Sequence, residues 1–163
     1  MPKQTPHPET PAAPEQFPVN RLQRWASNLG YAGVLPVFSL LAAAWLQPQW
    51  QPLTTRVGTI YVATIVCFLG GIQWGFALRS SSEQIRIRRI FVSILPSLWA
   101  LIALLLPAKL SIVALIVSLG MILTYEIMEQ GDDVYPPWYL PLRIRLTTLL
   151  VIGIGAFALL PSN

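Results

Sequence analysis

The chain contains uncharged apolar runs that are long enough to cross a lipid bilayer. Residues Val57 to Leu78 form 22 consecutive positions without a charge, and Leu29 to Leu46 form 18. A hydrocarbon core of about 30 Å requires about 20 apolar residues in a helix. Because backbone polar groups inside lipid must be hydrogen-bonded within the protein, these runs predict membrane-spanning helices.

Three further runs extend this pattern. Ile90 to Leu106 and Leu110 to Tyr125 are separated by a break at Pro107-Ala108-Lys109. This break predicts a tight helical hairpin, because a lysine in the middle of one long span would lie in hydrocarbon at high cost. The run from Leu146 to Leu160 is short, but Ile144 and a snorkelling Arg145 lengthen it. We therefore predict an all-α integral membrane protein, a bundle of five transmembrane helices over residues 29–160, with spans at about 29–46, 57–78, 90–106, 110–127 and 144–160.

Composition supports the membrane class and excludes several others. Hydrophobic residues make up 54% of the chain and charged residues only 11%, against roughly a quarter charged in soluble domains. The basic balance therefore does not indicate nucleic-acid binding. With one histidine, His7, and one cysteine, Cys67, the chain lacks the side chains for a disulfide framework, a zinc site or a Cys/His nucleophile pair. We expect no metal and no cofactor.

The residues before the first span divide into two segments. Residues 1–18 contain six prolines and little to bury, which predicts a disordered, Pro-rich cytoplasmic tail. In residues 19–28, the apolar side chains recur at helical spacing with Arg21 and Arg24 off their stripe, and this pattern indicates an interfacial amphipathic segment.

Basic residues predict the orientation. Nine of the eleven lysines and arginines, and all seven acids, fall on the side of the amino terminus, whereas the other side has only Arg56 and Lys109. Loops rich in lysine and arginine stay cytoplasmic. We expect the amino terminus inside the cell and the carboxyl terminus outside.

A glycine motif on the second span predicts close helix packing. Gly71 and Gly75 stand in a GxxxG spacing, flanked by Gly70 and Trp74. Such a spacing lets two helix backbones approach closely. We interpret these four residues as a helix-packing or partner interface.

A polar layer is predicted at one level of the bundle. By helical rise, Gln73 lies about 7.5 Å in from Leu78, level with Ser93, Pro96 and Ser97 on the antiparallel third span. These residues form either interhelical hydrogen bonds or a cytoplasm-facing pocket that binds a small amphiphile, such as a lipid or quinone-like molecule, or passes a neutral solute. We expect no ionisable side chain at depth in any span, and therefore no proton relay and no catalytic residue.

Charged residues flank the spans on the predicted cytoplasmic side. Arg79, Arg86, Arg88 and Arg89 either set the topology or contact anionic lipid headgroups. The acidic segment from Glu126 to Asp133 faces these basic loops and predicts an exposed, ion-paired cap of little stabilising effect.

Four motifs together resemble one known family. They are Leu29-Gly30-Tyr31-Ala32-Gly33 with Pro36, Gly70-Gly71-x-x-Trp74-Gly75, Ser93-x-x-Pro96-Ser97, and Pro137-Trp138-Tyr139-x-x-Leu142-Arg143 through Leu146-Thr147. The chain is similar over about residues 25–160 to the family of the domain of unknown function 3429, the transmembrane protein 69-like family. The resemblance implies a small multi-pass protein of the bacterial inner membrane without an assigned activity. In that family the position of Gln73 is often histidine, so an amide hydrogen bond is the property that both side chains share.

These observations favour a non-catalytic accessory or scaffold protein. Its partners are expected to be the bilayer with its anionic headgroups and a membrane protein, which is a second copy of the chain or another subunit. The amphiphile-binding or neutral-solute module described above is the alternative.

Overall fold

The computed structural model describes residues 19–80, 82–129 and 135–160. The predicted disordered tail, residues 1–18, lies outside this part of the chain. The helices are α1 Val19–Leu46, α2 Gln51–Arg79, α3 Glu83–Leu105, α4 Ala108–Met128 and α5 Tyr139–Ala158, with a short 3-10 turn, Pro48–Trp50, before α2.

All five helices are long and apolar enough to cross a membrane, which confirms the all-α, five-span fold. The helices begin earlier than the uncharged runs. Helix α1 includes the segment predicted to be interfacial, and α2 begins at Gln51 and contains Arg56. A charged residue near a helix end does not terminate the helix, because its long side chain can reach the membrane surface.

The break at Pro107 produces the predicted hairpin. Helix α3 ends at Leu105, and Leu106 has an extended backbone, as does Pro107 before the start of α4. A proline at this position cannot donate a backbone hydrogen bond, and it suits the start of a helix better than the interior of one.

Short connections make sequential helices antiparallel and give the bundle two distinct ends. One end of the bundle contains Arg86, Arg88, Arg89 and Arg143, and we call it the arginine-rich end. It contains the starts of α1, α3 and α5 and the ends of α2 and α4. The opposite end contains the starts of α2 and α4 and the ends of α1, α3 and α5.

Helix α2 lies at the centre of the bundle and contacts all four other helices. The core around it is aliphatic, with Val37, Val66, Leu115 and Ile154 fully buried. Large apolar side chains such as Phe68 and Phe91 point outward. This outward exposure is expected where hydrocarbon rather than water is the solvent.

Two glycines allow the helices to approach closely. A Cβ atom on Gly70 would lie 2.5 Å from the carbonyl oxygen of Ser93, so α2 packs on the backbone of α3 at this point. A Cβ atom on Gly153 would lie 2.8 Å from Cγ1 of Val37 on α1. The neighbouring Gly71 has nothing within 4 Å of its Cβ direction.

Gly70 and Gly71 form a matched pair for testing this packing. We expect Gly70→Ala to lower the free energy of unfolding by about 2 kcal/mol, because the added methyl group overpacks a backbone contact. Gly71→Ala should leave that free energy unchanged or raise it, since alanine is the better helix former. Unfolding in mixed micelles with increasing dodecyl sulfate measures both. Equal effects of the two substitutions would contradict the packing.

Candidate functional site

A fully buried carboxylate joins three elements at the arginine-rich end. Glu126, in the last turn of α4, has no exposed surface. Its Oε1 accepts hydrogen bonds from Gln73 Nε2 at 2.9 Å and from the Tyr139 hydroxyl at 3.0 Å. Its Oε2 accepts one from Arg143 Nε at 2.9 Å. We call these four residues, with Tyr135, the Glu126 cluster.

Tyr135, just before α5, closes the cluster. Its hydroxyl donates to Gln73 Oε1 at 3.1 Å, and its ring stacks on that of Tyr139 with centroids 5.1 Å apart. Phe76 meets the Tyr135 ring edge-on at 4.7 Å. Burial raises the pKa of the Tyr135 phenol to about 12, so near neutral pH the hydroxyl keeps its proton and remains a donor. Both polar ends of the Gln73 amide are therefore hydrogen-bonded.

A second acidic residue links α3 to α4 beside this cluster. Glu129 pairs with Arg88 and, at 3.2 Å, with Arg89. The Arg89 side chain is fully buried, and its guanidinium lies 5.5 Å from the centre of the Tyr135 ring. This cation–π contact connects the Glu129 pair to the Glu126 cluster.

The cluster is a joint whose parts depend on one another. A charge buried in a medium of low dielectric constant is costly alone, and it is tolerated when an opposite charge and further hydrogen bonds satisfy it. Gln73, Glu126 and Arg143 come from α2, α4 and α5, so satisfying the carboxylate fixes the relative positions of three helices. Among the described residues, Arg143 Nη2 within the cluster and Thr147 Oγ1, one turn further along α5, are buried without a hydrogen-bond partner.

The expectation that no ionisable side chain is buried in the spans is wrong. Glu126, Arg143 and Arg89 are all buried in the bundle. These residues lie at the ends of the uncharged runs. Because the spans were predicted from those runs, residues at their ends were predicted to lie at the membrane surface. The exposed acidic cap is likewise wrong for Glu126, because helix geometry turns this side chain inward. Asp132 and Asp133 lie outside the described residues.

The predicted polar layer does not form as one unit. Gln73 is buried but bonds to Glu126 and Tyr135, whereas the Ser93 hydroxyl donates to the carbonyl of Ile90 in its own helix at 2.6 Å. Pro96 packs against Gly70, and Ser97 is exposed on the outer face of α3. Helical rise gives the depth of a residue but not the direction in which it faces, so equal depth did not imply contact.

The predicted glycine interface divides between two faces of α2. Gly70 lies inside the bundle, while Gly71, Trp74 and Gly75 lie on the outer surface. The GxxxG pair is therefore not used by any packing between the described helices.

The predicted lipid-contacting arginines have different surroundings. Arg89 is fully buried, so the prediction that it contacts headgroups is wrong. Arg88 pairs with Glu129, and Arg86 Nη2 donates to the carbonyl oxygen of Ser80 at 2.9 Å. Arg79 is exposed at the end of α2.

Glu126 and Glu129 were predicted as acids of an ion-paired cap, and Glu129 does pair with Arg88 and Arg89, but Arg143, Tyr135 and Tyr139 were not predicted as members of this site. One signal was available, because an acid near the end of one span and a basic residue near the start of the next lie at the same membrane level. The free-energy cost of burying such a pair is low only if both side chains face into the bundle. Hydropathy does not report the direction in which a side chain faces.

Comparison with known proteins shows similarity to one family of uncharacterised membrane proteins. Residues 22–159 match the family model described as protein of unknown function (DUF3429). The chain is 31% identical over 132 residues to transmembrane protein 69 of Xenopus tropicalis, a match that covers 79% of this chain and 51% of that protein. It is 32% identical over 125 residues to transmembrane protein 69 of Mus musculus, covering 75% and 50% respectively. The chain thus spans about half the length of these curated relatives. No solved structure matches the chain.

The Glu126–Arg143 pair can be tested by a double-mutant cycle. We expect Glu126→Gln to lower the free energy of unfolding by about 3–5 kcal/mol, because Arg143 is then buried without its counter-charge. Adding Arg143→Gln should restore part of that loss, giving a large coupling energy between the two positions.

The matched control is Glu83→Gln, which alters an exposed acid in the first turn of α3 and should change stability by less than about 0.5 kcal/mol. Denaturation in mixed micelles measures Glu126→Gln, Arg143→Gln, the double variant and the Glu83→Gln control. Additive effects of the Glu126 and Arg143 substitutions would show that the two side chains do not interact.

Proposed function

This chain belongs to the DUF3429 family, and we propose that it acts as a non-catalytic accessory or scaffold protein that packs against a membrane partner. The interface assigned to the partner is the outer face of α2 formed by Gly71, Trp74 and Gly75, which we call the glycine face. The observation that carries the proposal is that this face is open although α2 is the central helix of the bundle.

The geometry of the glycine face suits a second helix. A Cβ atom on Gly71 or Gly75 would meet nothing within 4 Å. Trp74 stands between them with 44% of its surface exposed. Glycines four residues apart create a shallow groove in which another backbone can lie, and an adjacent aromatic side chain adds contact area. The partner is a membrane helix of another subunit or of a second copy.

The buried site supports a structural role over a catalytic one. Both oxygens of the Glu126 carboxylate already accept hydrogen bonds, and Glu129 is engaged by two arginines. These hydrogen bonds and ion pairs hold the helices together, and they leave neither carboxylate available to act on a substrate. The alternative of an amphiphile pocket built on Gln73 is less favoured, because that side chain is 1% exposed and both of its amide atoms are bonded.

The proposal includes a location, the bacterial inner membrane, and an orientation with the arginine-rich end in the cytoplasm. Described basic side chains concentrate at that end, and Arg56 and Lys109 are the two described at the other. The excess of arginine on the cytoplasmic side of membrane proteins supports this orientation.

Reporter fusions test the orientation. A fluorescent protein joined after Asn163 should be dark, and alkaline phosphatase at the same position should be active, because the carboxyl terminus is assigned to the periplasm. The control is a pair of fusions after Ser80, in the connection between α2 and α3, where the fluorescent protein should be bright and the phosphatase inactive. Cytosolic behaviour of the reporters after Asn163 would contradict the orientation.

The glycine face can be tested by filling its groove. We expect Gly71→Leu to remove the partner, or to convert a dimer to a monomer, without lowering the melting temperature, because the added side chain points away from the bundle. Gly120→Leu is the matched control, since Gly120 on α4 also has open space at its Cβ direction. Mass measurement of the complex in mild detergent, and cross-linking from Trp74→Cys in a Cys67→Ser background, report association. Identical complexes from both leucine variants would exclude the glycine face as the interface.

A further inference from the structure

The opposite end of the bundle contains a cavity of about 890 Å³. It lies between the starts of α2 and α4 and the ends of α3 and α5, far from the Glu126 cluster. Its walls combine two cationic side chains, a buried hydroxyl and apolar surface, and include Arg56, Lys109, Ser111, Ile60, Leu104 and Phe157.

The charge in this cavity favours an anion. Arg56 and Lys109 are the two basic residues described at this end of the bundle, and both line the same cavity. The described acids, Glu83, Glu126 and Glu129, lie at the arginine-rich end. The starts of α2 and α4 and the ends of α3 and α5 all border the cavity, so their opposite helix-dipole charges offset one another. Two cationic side chains therefore share the cavity without a described acidic side chain.

Ser111 supplies an unused hydrogen-bond donor. The residue is 3% exposed and lines the cavity, and its hydroxyl has no partner among the described residues. Thr59, another residue of the cavity wall, behaves differently, because its hydroxyl donates to the carbonyl oxygen of Arg56 in its own helix at 2.8 Å. A buried hydroxyl without a partner is costly unless something binds it.

The apolar wall indicates that the anion carries a hydrocarbon chain. Ile60 and Leu104 line the cavity and are 46% and 39% exposed, so the cavity opens onto the outer, apolar surface of the bundle. By helical rise, Lys109 and Ser111 lie within about 5 Å of the start of α4 and Arg56 lies about 7.5 Å along α2, whereas Ile60 lies about 13.5 Å along α2. Ile60 is therefore deeper in the bundle than both cationic residues, as the acyl chain of a phospholipid requires.

We propose that this cavity binds one anionic phospholipid. Arg56 and Lys109 bind its phosphate, the Ser111 hydroxyl donates a hydrogen bond to a phosphate oxygen, and an acyl chain runs along Ile60 and Leu104. This site is separate from the glycine face, and the proposal stands or falls independently of the scaffold role.

Lipid binding to the delipidated full-length protein tests the assignment. The probes are phosphatidylglycerol, phosphatidylcholine with the same acyl chains, and inorganic phosphate, and binding is followed by native mass spectrometry and by the shift in melting temperature. We expect phosphatidylglycerol to bind preferentially. The double variant Arg56→Gln/Lys109→Gln should raise its Kd about thirtyfold, since each charge near a membrane surface contributes about a factor of five.

The charge-matched control is Arg21→Gln/Arg79→Gln, which removes two exposed arginines at the arginine-rich end and should leave Kd within about twofold. Ser111→Ala provides a second test that does not depend on net charge. It should leave the lipid-free melting temperature unchanged or raised, because it removes an unpartnered hydroxyl, yet it should weaken phosphatidylglycerol binding about tenfold.

Three results would overturn the proposal. They are equal binding of phosphatidylglycerol and phosphatidylcholine, equal losses in the two double variants, and binding of inorganic phosphate as tight as that of the lipid. The last result would show that the apolar wall contributes nothing and that the site takes a free anion.

Discussion

The arrangement of the bundle depends on the burial of the Glu126 carboxylate. Inside a protein surrounded by hydrocarbon, this group is tolerated only where donors meet its oxygens and a positive charge offsets its own. Gln73, Tyr139 and Arg143 provide those donors from α2 and α5. A displacement of α2, α4 or α5 would separate the charge from its donors, so the chemistry of one residue restricts the positions of three helices.

The remaining contacts follow from the solvent that surrounds the bundle. Lipid offers no hydrophobic drive for helices to associate, so close approach and shape carry the packing. Gly70 and Gly153 permit that approach between α2 and α3 and between α5 and α1. The ends then differ in character. Glu126 and Glu129 pair with arginines at the arginine-rich end, whereas the opposite end leaves Arg56 and Lys109 around an open cavity.

The sequence predicts the depth of a residue along the membrane normal, but it does not predict the direction in which its side chain faces. Spans, the hairpin at Pro107 and the five-helix fold follow from the position of a residue along the membrane normal, which hydropathy reports well. Direction around the helix axis is not encoded in a uniformly apolar run. For this reason the depth of Ser97 suggested contact with Gln73, although the two side chains face different directions, and the sequence alone does not distinguish the packing of Gly70 from that of Gly71.

The buried ion pair was missed for a related reason. An uncharged run ends at the first charged residue, so Glu126 and Arg143 mark the ends of predicted spans. Their side chains were therefore expected to be solvated. Only the fold shows that the last turn of α4 and the first turn of α5 face each other. The family match supports the membrane class, and the roles proposed for the glycine face and the cavity rest on this chain's own residues.

The arrangement of the bundle depends on direct contact between Glu126 and Arg143. Solid-state NMR can measure this contact in reconstituted bilayers through the dipolar coupling between the carboxyl carbon of Glu126, identified by its loss in Glu126→Gln, and the side-chain nitrogens of Arg143. The account predicts strong coupling to Nε, as expected for a hydrogen-bonded pair. A carboxyl signal without any coupling to arginine nitrogen would contradict it.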